Sequence, residues 1–481
     1  MSTSASVSSR RGRSATVTSK APQRHCGGGL AVATCLLLAH AAAAQDDMDD
    51  ILGGFDEEDP TFEVTAPTDD VPTGEPRWWD ISGSLEVSGS FNYLRHKSAT
   101  GTNYFGLQRL RGRANLQLDA DLNEDWKARF EGWAFYDTAY AIYGREHYTQ
   151  EVLNDYQFDA QVGEAWVHGS LLDWLDLKVG RQIVIWGRSE SLRVLDVLNP
   201  LDNREPGRVD IEDLRLPVGM VRLDAYQQIL GGDWSLSAIA IPELRFDRNP
   251  PIGSDFNPTT FKIAQDRPRD FRDTEVAGAI SALYRGWDFT LNGAWFSNGF
   301  PRFKASPTGS APPKLVYDRL WMVGASGNFT TGPWLLKAEA AYLDGYQFDG
   351  TSKKARLDIL LGVEFYGISN VSISLEATNR HLFDYVPELI RSPYFVRENQ
   401  QEVAFRYTQN FWNERLEVTA LAILIGYNGR DGSIARLSAD YDIQDALTAG
   451  VGILLYQHGK LPPLSSWARN DRLFFNMKWS F

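Results

Sequence analysis

The chain has 481 residues and a formal net charge of −14, with 43% hydrophobic and 12% aromatic residues. Its two cysteines, Cys26 and Cys35, both lie within the first 44 residues, so the rest of the chain has no thiolate for a disulfide, a metal or a nucleophile. The acidic balance lacks the basic footprint of a nucleic-acid-binding protein, and we expect no nucleic-acid partner.

Residues 1–44 have the pattern of a cleaved secretory signal peptide. Residues 1–24 contain five basic residues and no acidic residue, and an apolar run then leads to small residues at Ala42 and Ala44. The alternative is a transmembrane anchor, but the run is too short to span a bilayer. We therefore predict cleavage after Ala44.

Residues 45–77 form an acidic segment that we expect to be disordered in the periplasm. Positions 45 to 75 hold 12 acidic residues and no Lys or Arg. Three apolar residues, Ile51, Leu52 and Phe55, lie between acidic flanks, as in a short docking motif. We predict that residues 46–59 dock a periplasmic carrier or an RND-type exporter. Alternatively, residues 45–59 plug the barrel mouth, or the segment is only a spacer.

From residue 78 to residue 481, apolar and polar residues alternate in about 18 segments. Near the C-terminus, Leu473 and Phe475 fall on one face, and Phe474 and Asn476 on the other. Short and long connectors alternate strictly between the segments, as in a transmembrane barrel with periplasmic termini. We predict an all-β, antiparallel outer-membrane β-barrel over residues 78–481. A soluble β-sandwich, the alternative, does not explain the alternating connectors.

Tryptophans recur beside the predicted short turns, where a periplasmic aromatic girdle belongs. They are Trp78, Trp79, Trp126, Trp174, Trp234, Trp287, Trp334 and Trp412. The alternative is that Trp simply favours strands, but that preference does not place it at one end of successive hairpins. The clustering therefore supports the predicted topology.

A distinctive motif block covers residues 178–220. Its first part has the pattern GRQxxxWG, formed by Gly180, Arg181, Gln182, Trp186 and Gly187. Its second part has the pattern NPxD…PG, formed by Asn199, Pro200, Asp202, Pro206 and Gly207. The block resembles an uncharacterised family of Gram-negative outer-membrane barrels, and its GRQ part is also similar to the alginate-export barrels. The resemblance implies association with RND-type exporters of the MmpL-like kind and with a lipid-carrier-like periplasmic protein, and hence hydrophobic or amphiphilic cargo.

The block contains a long loop, residues 188–215, after a predicted strand over 176–187. Three leucines of this loop recur at three-residue spacing: Leu192, Leu195 and Leu198. The spacing predicts a short helix that ends at Asn199 and Pro200. A loop of this length usually has a role. We expect it either to fold into the lumen as a constriction or to form an ordered cap at the surface.

Two neighbouring strands carry a basic ladder on their polar face, formed by Arg109, Arg111, Arg113, Lys127 and Arg129. Such a ladder favours an anionic group in the lumen, because low-dielectric walls focus the field. Alternatively, the ladder pairs with wall carboxylates such as Glu86, Glu131 or Glu164 and only stiffens the barrel.

No sequence pattern points to catalysis or metal binding, so we expect no enzymatic activity, no metal and no cofactor. We predict an outer-membrane conduit for a hydrophobic or amphiphilic, lipid-like substrate, in contact with outer-membrane lipid and acting with a periplasmic or inner-membrane exporter. The alternatives are a general diffusion porin for small polar or anionic solutes and a structural or adhesive barrel. An apolar or occluded route favours the conduit, and an open, water-filled lumen favours the porin.

Overall fold

Most of the chain folds into β-strands that together form a closed wall. The computed structural model describes residues 77–268, 273–305 and 312–481. The predicted signal peptide and, except for Arg77, the acidic segment lie outside the described residues. Among the residues that are described, none of the helices combines the length and apolar character needed to cross a membrane.

Eighteen strands form the wall. The first nine are β1 (Trp79–Asn92), β2 (Gly106–Asp121), β3 (Trp126–Asp137), β4 (Phe158–Leu172), β5 (Leu175–Gln182), β6 (Val218–Ile229), β7 (Gly232–Ile241), β9 (Glu275–Tyr284) and β10 (Trp287–Ser297). The other nine are β13 (Arg319–Thr331), β14 (Trp334–Tyr346), β15 (Lys354–Ile368), β16 (Val371–Leu382), β17 (Asn399–Phe411), β18 (Leu416–Ile425), β19 (Ser433–Gln444), β20 (Leu447–Gln457) and β21 (Arg472–Ser480). Three short strands, β8 (Ala264–Asp266), β11 (Arg302–Lys304) and β12 (Lys314–Val316), form a separate sheet.

The sheet closes on itself, so the wall has no free edge. Each wall strand pairs antiparallel with its neighbour in the chain, and β1 pairs with both β2 and β21. At the seam, Leu85 stands opposite Ala114 on one side and Trp479 on the other. Closure satisfies the backbone groups of every wall strand, which is a requirement for strands in a bilayer. This confirms the predicted barrel of 18 antiparallel strands.

The two faces of each strand meet different surroundings. On β14, Trp334, Leu336 and Tyr342 are exposed on the outer face, whereas Lys337 and Glu339 are buried on the inner face. Exposed tryptophans also lie beside the short turns, at the end where the predicted girdle belongs. An apolar outer band with aromatic residues at its rim is typical of outer-membrane barrels. The described chain is therefore an outer-membrane β-barrel.

Short helical segments occur in the long loops. They are the helices α1 (Ala139–Tyr143), α2 (Gln150–Val152), α3 (Ile211–Leu214) and α4 (Leu464–Trp467). The 3-10 helices span Arg145–His147, Pro387–Ile390 and Tyr427–Gly429, and a π-helical turn spans Leu153–Gln157.

Two local predictions in the motif block are wrong. The strand expected over 176–187 ends at Gln182, because the chain then leaves the wall: Ile183 donates its N–H to Glu164 and Val184 donates to Asn199. The helix expected to end at Asn199 is not formed, and residues 188–199 are irregular. Side chains of the barrel take the place of helical hydrogen bonds there, as described below.

Candidate functional site: a loop across the lumen

The connection between β5 and β6, residues 183–217, folds into the lumen and is called the lumen loop here. Asn199 ties its two ends together. The Asn199 side chain donates to the carbonyls of Gln182 and Leu216, at 3.2 and 3.0 Å, and accepts the Val184 N–H at 2.8 Å. All three partners belong to buried residues, and buried backbone groups require hydrogen-bond partners. One amide therefore holds the neck of the loop.

Two wall carboxylates anchor the near half of the lumen loop. Glu339 on β14 accepts the backbone N–H of Ser189 at 2.9 Å and also that of Arg188. Glu376 on β16 accepts the N–H groups of Glu190 and Ser191, at 3.1 and 3.2 Å. Both carboxylates lie on the inner face of the barrel and are almost fully buried. They replace the helical hydrogen bonds that the leucine spacing predicts.

The leucines of the loop instead enter an apolar cluster with the wall. Leu195 is fully buried, and Leu192 and Leu198 are nearly so. The wall residues of this cluster lie on the inner faces of β6 to β15 and of β17: Val218, Met220, Ile239, Ile241, Ala279, Ala294, Phe296, Leu320, Met322, Ala341, Leu343, Leu360 and Ala404. Burial of this many aliphatic groups favours the docked loop through the hydrophobic effect.

The far half of the lumen loop reaches the basic ladder. Glu205 pairs with Arg109 and lies 3.3 Å from Arg111, both on β2. Burial alone would raise the pKa of the Glu205 carboxyl, but the guanidinium groups around it outweigh burial. They hold the pKa well below its ordinary value of 4.5, so Glu205 stays ionised. Arg111 also lies 3.4 Å from Asp137 and 3.7 Å from the Phe135 ring centroid.

A second carboxylate of the far half meets two more wall arginines. Asp210 lies 3.1 Å from Arg406 on β17 and pairs with Arg436 on β19. Close by, the Tyr456 hydroxyl donates to the Pro206 carbonyl at 2.6 Å. These contacts fix the far half of the loop to β17, β19 and β20.

The lumen loop thus spans the barrel from wall to wall. Going around the closed sheet in either direction, β2 and β14 are nine strands apart, so they lie on opposite sides. The loop contacts Arg109 on β2 and Glu339 on β14. Of the two placements open from the sequence, the structure has the lumen constriction and not the surface cap.

The other three residues of the predicted ladder contact side chains of the wall. The Arg113 guanidinium lies 4.6 Å from the Trp133 ring centroid. Lys127 is largely exposed, 3.9 Å from Asp121. Arg129 pairs with Asp119 at 2.7 Å and lies 3.8 Å from Glu164. Glu164 is one of the three wall carboxylates expected from the sequence as partners for the ladder.

Three glycines of the motif block allow tight backbone conformations in and beside the loop. Glycines supply backbone conformations that disfavour other residues. Gly180 has a φ of +130°, and a Cβ there would lie 2.2 Å from the Ala165 carbonyl oxygen. Gly187 has a φ of +114° and lies beside Glu339, which lets the backbone approach that carboxylate. Gly207 has a φ of +76° and packs against Ile434.

The other motif residues bind elements around the loop. The Arg181 Nε lies 3.0 Å from Glu243, and Trp186 is buried in the apolar cluster. Asp202 receives hydrogen bonds from the Arg204 guanidinium. The Pro200 carbonyl accepts the Leu216 N–H at 2.8 Å. We infer that the block specifies the docked conformation of the loop.

A second loop, residues 242–263, packs against β20 and β21. Its Asp255 pairs with Arg472 on β21 at 2.7 Å, and both side chains are buried. Its Phe256 packs among Leu454, Tyr456 and Trp467. This second loop is therefore fixed to the barrel at its long-loop end.

A cavity of about 210 Å³ remains between the lumen loop and the inner wall. Apolar and charged groups both line it, including Leu198, Phe296, Arg193, Arg380 and Asp358. Arg380 lies 3.7 Å from Asp358 and 3.1 Å from Glu402. Within the described part of the chain, no group of three or more His, Cys, Asp or Glu residues is placed to hold a metal ion.

The wall carboxylates Glu339 and Glu376 and the loop carboxylates Glu205 and Asp210 were not identified as site residues from the sequence. Glu339 and Glu376 fall on the polar parity of apolar strands, which is a usable signal: a carboxylate on an inner face needs a partner. The hydrogen-bond partners of Glu339 and Glu376 could not be predicted from the sequence, because they belong to a loop that is distant in the chain.

The chain is similar to several solved structures. Among solved structures, the chain is similar to the Acinetobacter baumannii channel OccAB2, with a TM-score of 0.48 and 10% identity over 84% of this chain and 98% of that one. It is also similar to Pseudomonas aeruginosa OccK2 (OpdF), solved in complex with glucuronate, with a TM-score of 0.48 and 11% identity over 84% and 98%. For the anion-selective porin from Comamonas acidovorans, the TM-score is 0.38 with 13% identity over 84% and 99%.

Curated proteins include no match to the chain. A family model described as "Protein of unknown function (DUF1302)" matches residues 26–481. The chain is an outer-membrane β-barrel that belongs to the DUF1302 family.

Proposed function

We propose that this barrel is an outer-membrane conduit for a hydrophobic or amphiphilic, lipid-like substrate, and that the lumen loop closes the route at rest. The observation that carries the proposal is the aliphatic inner wall on which Leu192, Leu195 and Leu198 pack. The interior of a diffusion porin is polar and filled with water. An aliphatic wall resists wetting and offers favourable contacts to apolar cargo.

We further propose that cargo arrives from a periplasmic or inner-membrane exporter. The support is the acidic segment before the barrel, in which Ile51, Leu52 and Phe55 have the composition of a docking motif. Docking there would raise the concentration of a carrier near the pore without a large interface. These residues lie outside the described part of the chain, so the proposal rests on the sequence alone.

The test of the conduit is a deletion strain, with lipids and metabolites profiled in the outer membrane and in the medium. We expect one class of hydrophobic or amphiphilic compound to change its distribution across the outer membrane, and the full chain to restore it. An unchanged profile, together with free permeation of small polar solutes through reconstituted barrels, would establish the diffusion porin instead.

The test of the partner is replacement of Ile51, Leu52 and Phe55 by Ser. Loss of transport with normal barrel assembly and normal conductance is expected for docking. Increased conductance would identify the segment as a plug, and no change in any of the three measurements would identify it as a spacer.

A further inference from the structure

The inner wall has two chemically different sides where it faces the lumen loop. The aliphatic side extends from β6 to β15 and includes Met220, Ile241, Leu320, Met322, Leu343 and Leu360. The cationic side extends from β17 through the seam to β2. Its arginines are Arg109, Arg111, Arg406 and Arg436.

The lumen loop matches both sides at once. Its near half presents leucines to the aliphatic side, and its far half presents carboxylates to the cationic side. Glu205 forms ion pairs with Arg109 and Arg111, and Asp210 forms ion pairs with Arg406 and Arg436. The loop surface in contact with these two sides is amphiphilic, because it joins apolar side chains to two anionic groups.

Three of the four arginines on the cationic side depend on the loop for their ion-pair partners, and the fourth, Arg111, also pairs with Asp137 on β3. Among the described residues, Arg109, Arg406 and Arg436 have ion-pair partners within 4.0 Å on the lumen loop and none on the wall. On the aliphatic side, Lys337 pairs with Glu364 within the wall, and Asp288 on β10 pairs with Arg188 of the lumen loop. The loop therefore brings a positive charge to the aliphatic side and negative charges to the cationic side. A partly buried guanidinium that loses its partner is strongly unfavourable. Anything that replaces the loop must therefore bring negative charge to the cationic side.

The same reasoning holds for the aliphatic side. When the loop leaves, the buried wall residues face water unless another apolar group covers them. A small hydrophilic anion would satisfy the arginines and leave the aliphatic wall bare. A neutral hydrocarbon would cover that wall and leave the arginines unpaired. One molecule that carries both an apolar body and an anionic head satisfies both.

We propose that the lumen binds an anionic amphiphile, with its head on Arg109, Arg111, Arg406 and Arg436 and its apolar body on the aliphatic side. The lumen loop occupies this site at rest and is displaced by the ligand. This inference rests on the proposed conduit function and names its substrate class. A carboxylate, a phosphate or a sulfonate head would each suit guanidinium groups.

The test compares three dansyl-labelled probes of equal chain length: a fatty acid, its methyl ester and the corresponding primary amine. Binding is measured by fluorescence titration of the full-length barrel in neutral maltoside micelles. We expect the wild-type barrel to bind the acid more tightly than the ester and the amine. The double variant Arg406→Gln/Arg436→Gln should weaken binding of the acid by about tenfold or more and leave the ester unchanged, because charge-assisted bonds are lost.

A variant that weakens the loop tests the competition directly. Glu205→Gln/Asp210→Asn frees the arginines, so the acid should bind more tightly than it does to the wild type. Arg222→Gln is the matched control, because Arg222 pairs with Asp224 on β6 and does not contact the loop carboxylates. Its affinities should equal those of the wild type. Heat-modifiable migration on gels confirms that each variant is folded.

The outcomes separate this inference from the conduit proposal. Equal binding of acid and ester in all variants would overturn the inference, as would acetate displacing the acid at equal concentration. Loss of charge preference in the Arg222→Gln control would overturn it too. If the acid binds as expected but the deletion strain has an unchanged lipid profile, the binding site stands and the conduit proposal fails.

Discussion

Leu195 of the lumen loop packs against the bare backbone of Gly324 on β13, where an added Cβ would lie 2.1 Å from the Leu195 Cδ2 atom. Gly324 lies on the inner face of the wall, between the buried Met322 and Ser326. The absence of a side chain at this position leaves the space that Leu195 fills. The Leu195 side chain therefore packs closely against the wall at a position where no side chain larger than hydrogen leaves room for it.

This fit predicts the effect of Gly324→Ala. The methyl group would push Leu195 out of its place, and overpacking of this kind destabilises by about 1–3 kcal/mol. We expect a loosened lumen loop and a higher mean conductance in planar bilayers. Gly293→Ala is the control, since a Cβ at this position would lie no closer than 3.9 Å to a neighbouring strand, at the Met322 carbonyl oxygen. Equal conductance of the two variants would argue against a fitted plug.

The carboxylate anchor on β16 gives a second prediction. Glu376→Gln keeps the shape of the side chain but removes its negative charge. That charge strengthens the hydrogen bonds that Glu376 accepts from the Ser189 hydroxyl and from the N–H groups of Glu190 and Ser191. Hydrogen bonds to a charged group contribute about 1.5–3 kcal/mol, so the near half of the loop should exchange amide hydrogens faster. Hydrogen exchange of residues 188–199 measures this. Glu417→Gln, on β18, should leave the exchange unchanged.

The pKa of Glu205 gives a prediction with a definite sign. Because this pKa is lower in the folded barrel than its ordinary value of 4.5, the ion pair with Arg109 stabilises the docked loop fully above that value. The stabilisation is lost only as the pH falls toward the lower, folded pKa. We expect constant conductance between about pH 5 and pH 7 and an increase below about pH 4. In Glu205→Gln the acid-induced increase should be smaller, and an identical profile would contradict this role of Glu205.

The second loop provides a prediction about the long-loop end. Arg472→Gln leaves Asp255 without its cation in a buried position, which is expected to cost about 3–5 kcal/mol locally. Residues 251–257 should then become more accessible, as measured by hydrogen exchange. The neighbouring Arg469 is exposed, so Arg469→Gln should have no such effect. Equal exchange in both variants would mean that the pair does not hold this loop.

The strands could be predicted from the sequence because membrane barrels impose a simple rule. Residues such as Leu473 and Phe475 must face lipid while Asn476 faces the interior, and a period of two follows directly. Loop lengths then gave the topology. Neither step needs knowledge of a distant contact.

The lumen loop could be predicted only in part, for a physical reason. Leu192, Leu195 and Leu198 were recognised as a set to be buried, but their spacing suggested a helix. The backbone bonds of a helix were replaced by Glu339 and Glu376, which are more than 140 residues away in the chain. The periodicity of a local segment does not indicate which distant residues will form hydrogen bonds with it. Likewise, the ladder residue Arg109 was identified, but its partner Glu205 was not.

The central claim is that the lumen loop closes the barrel, and single-channel conductance tests it most directly. Gln182 and Val218 are paired neighbours in the wall, so a short Gly-Ser linker can replace residues 183–217 without opening the sheet. An unplugged barrel of 18 strands leaves an aqueous channel, so we predict a severalfold increase in conductance over the full chain. Unchanged conductance in a folded, heat-modifiable barrel would contradict the account.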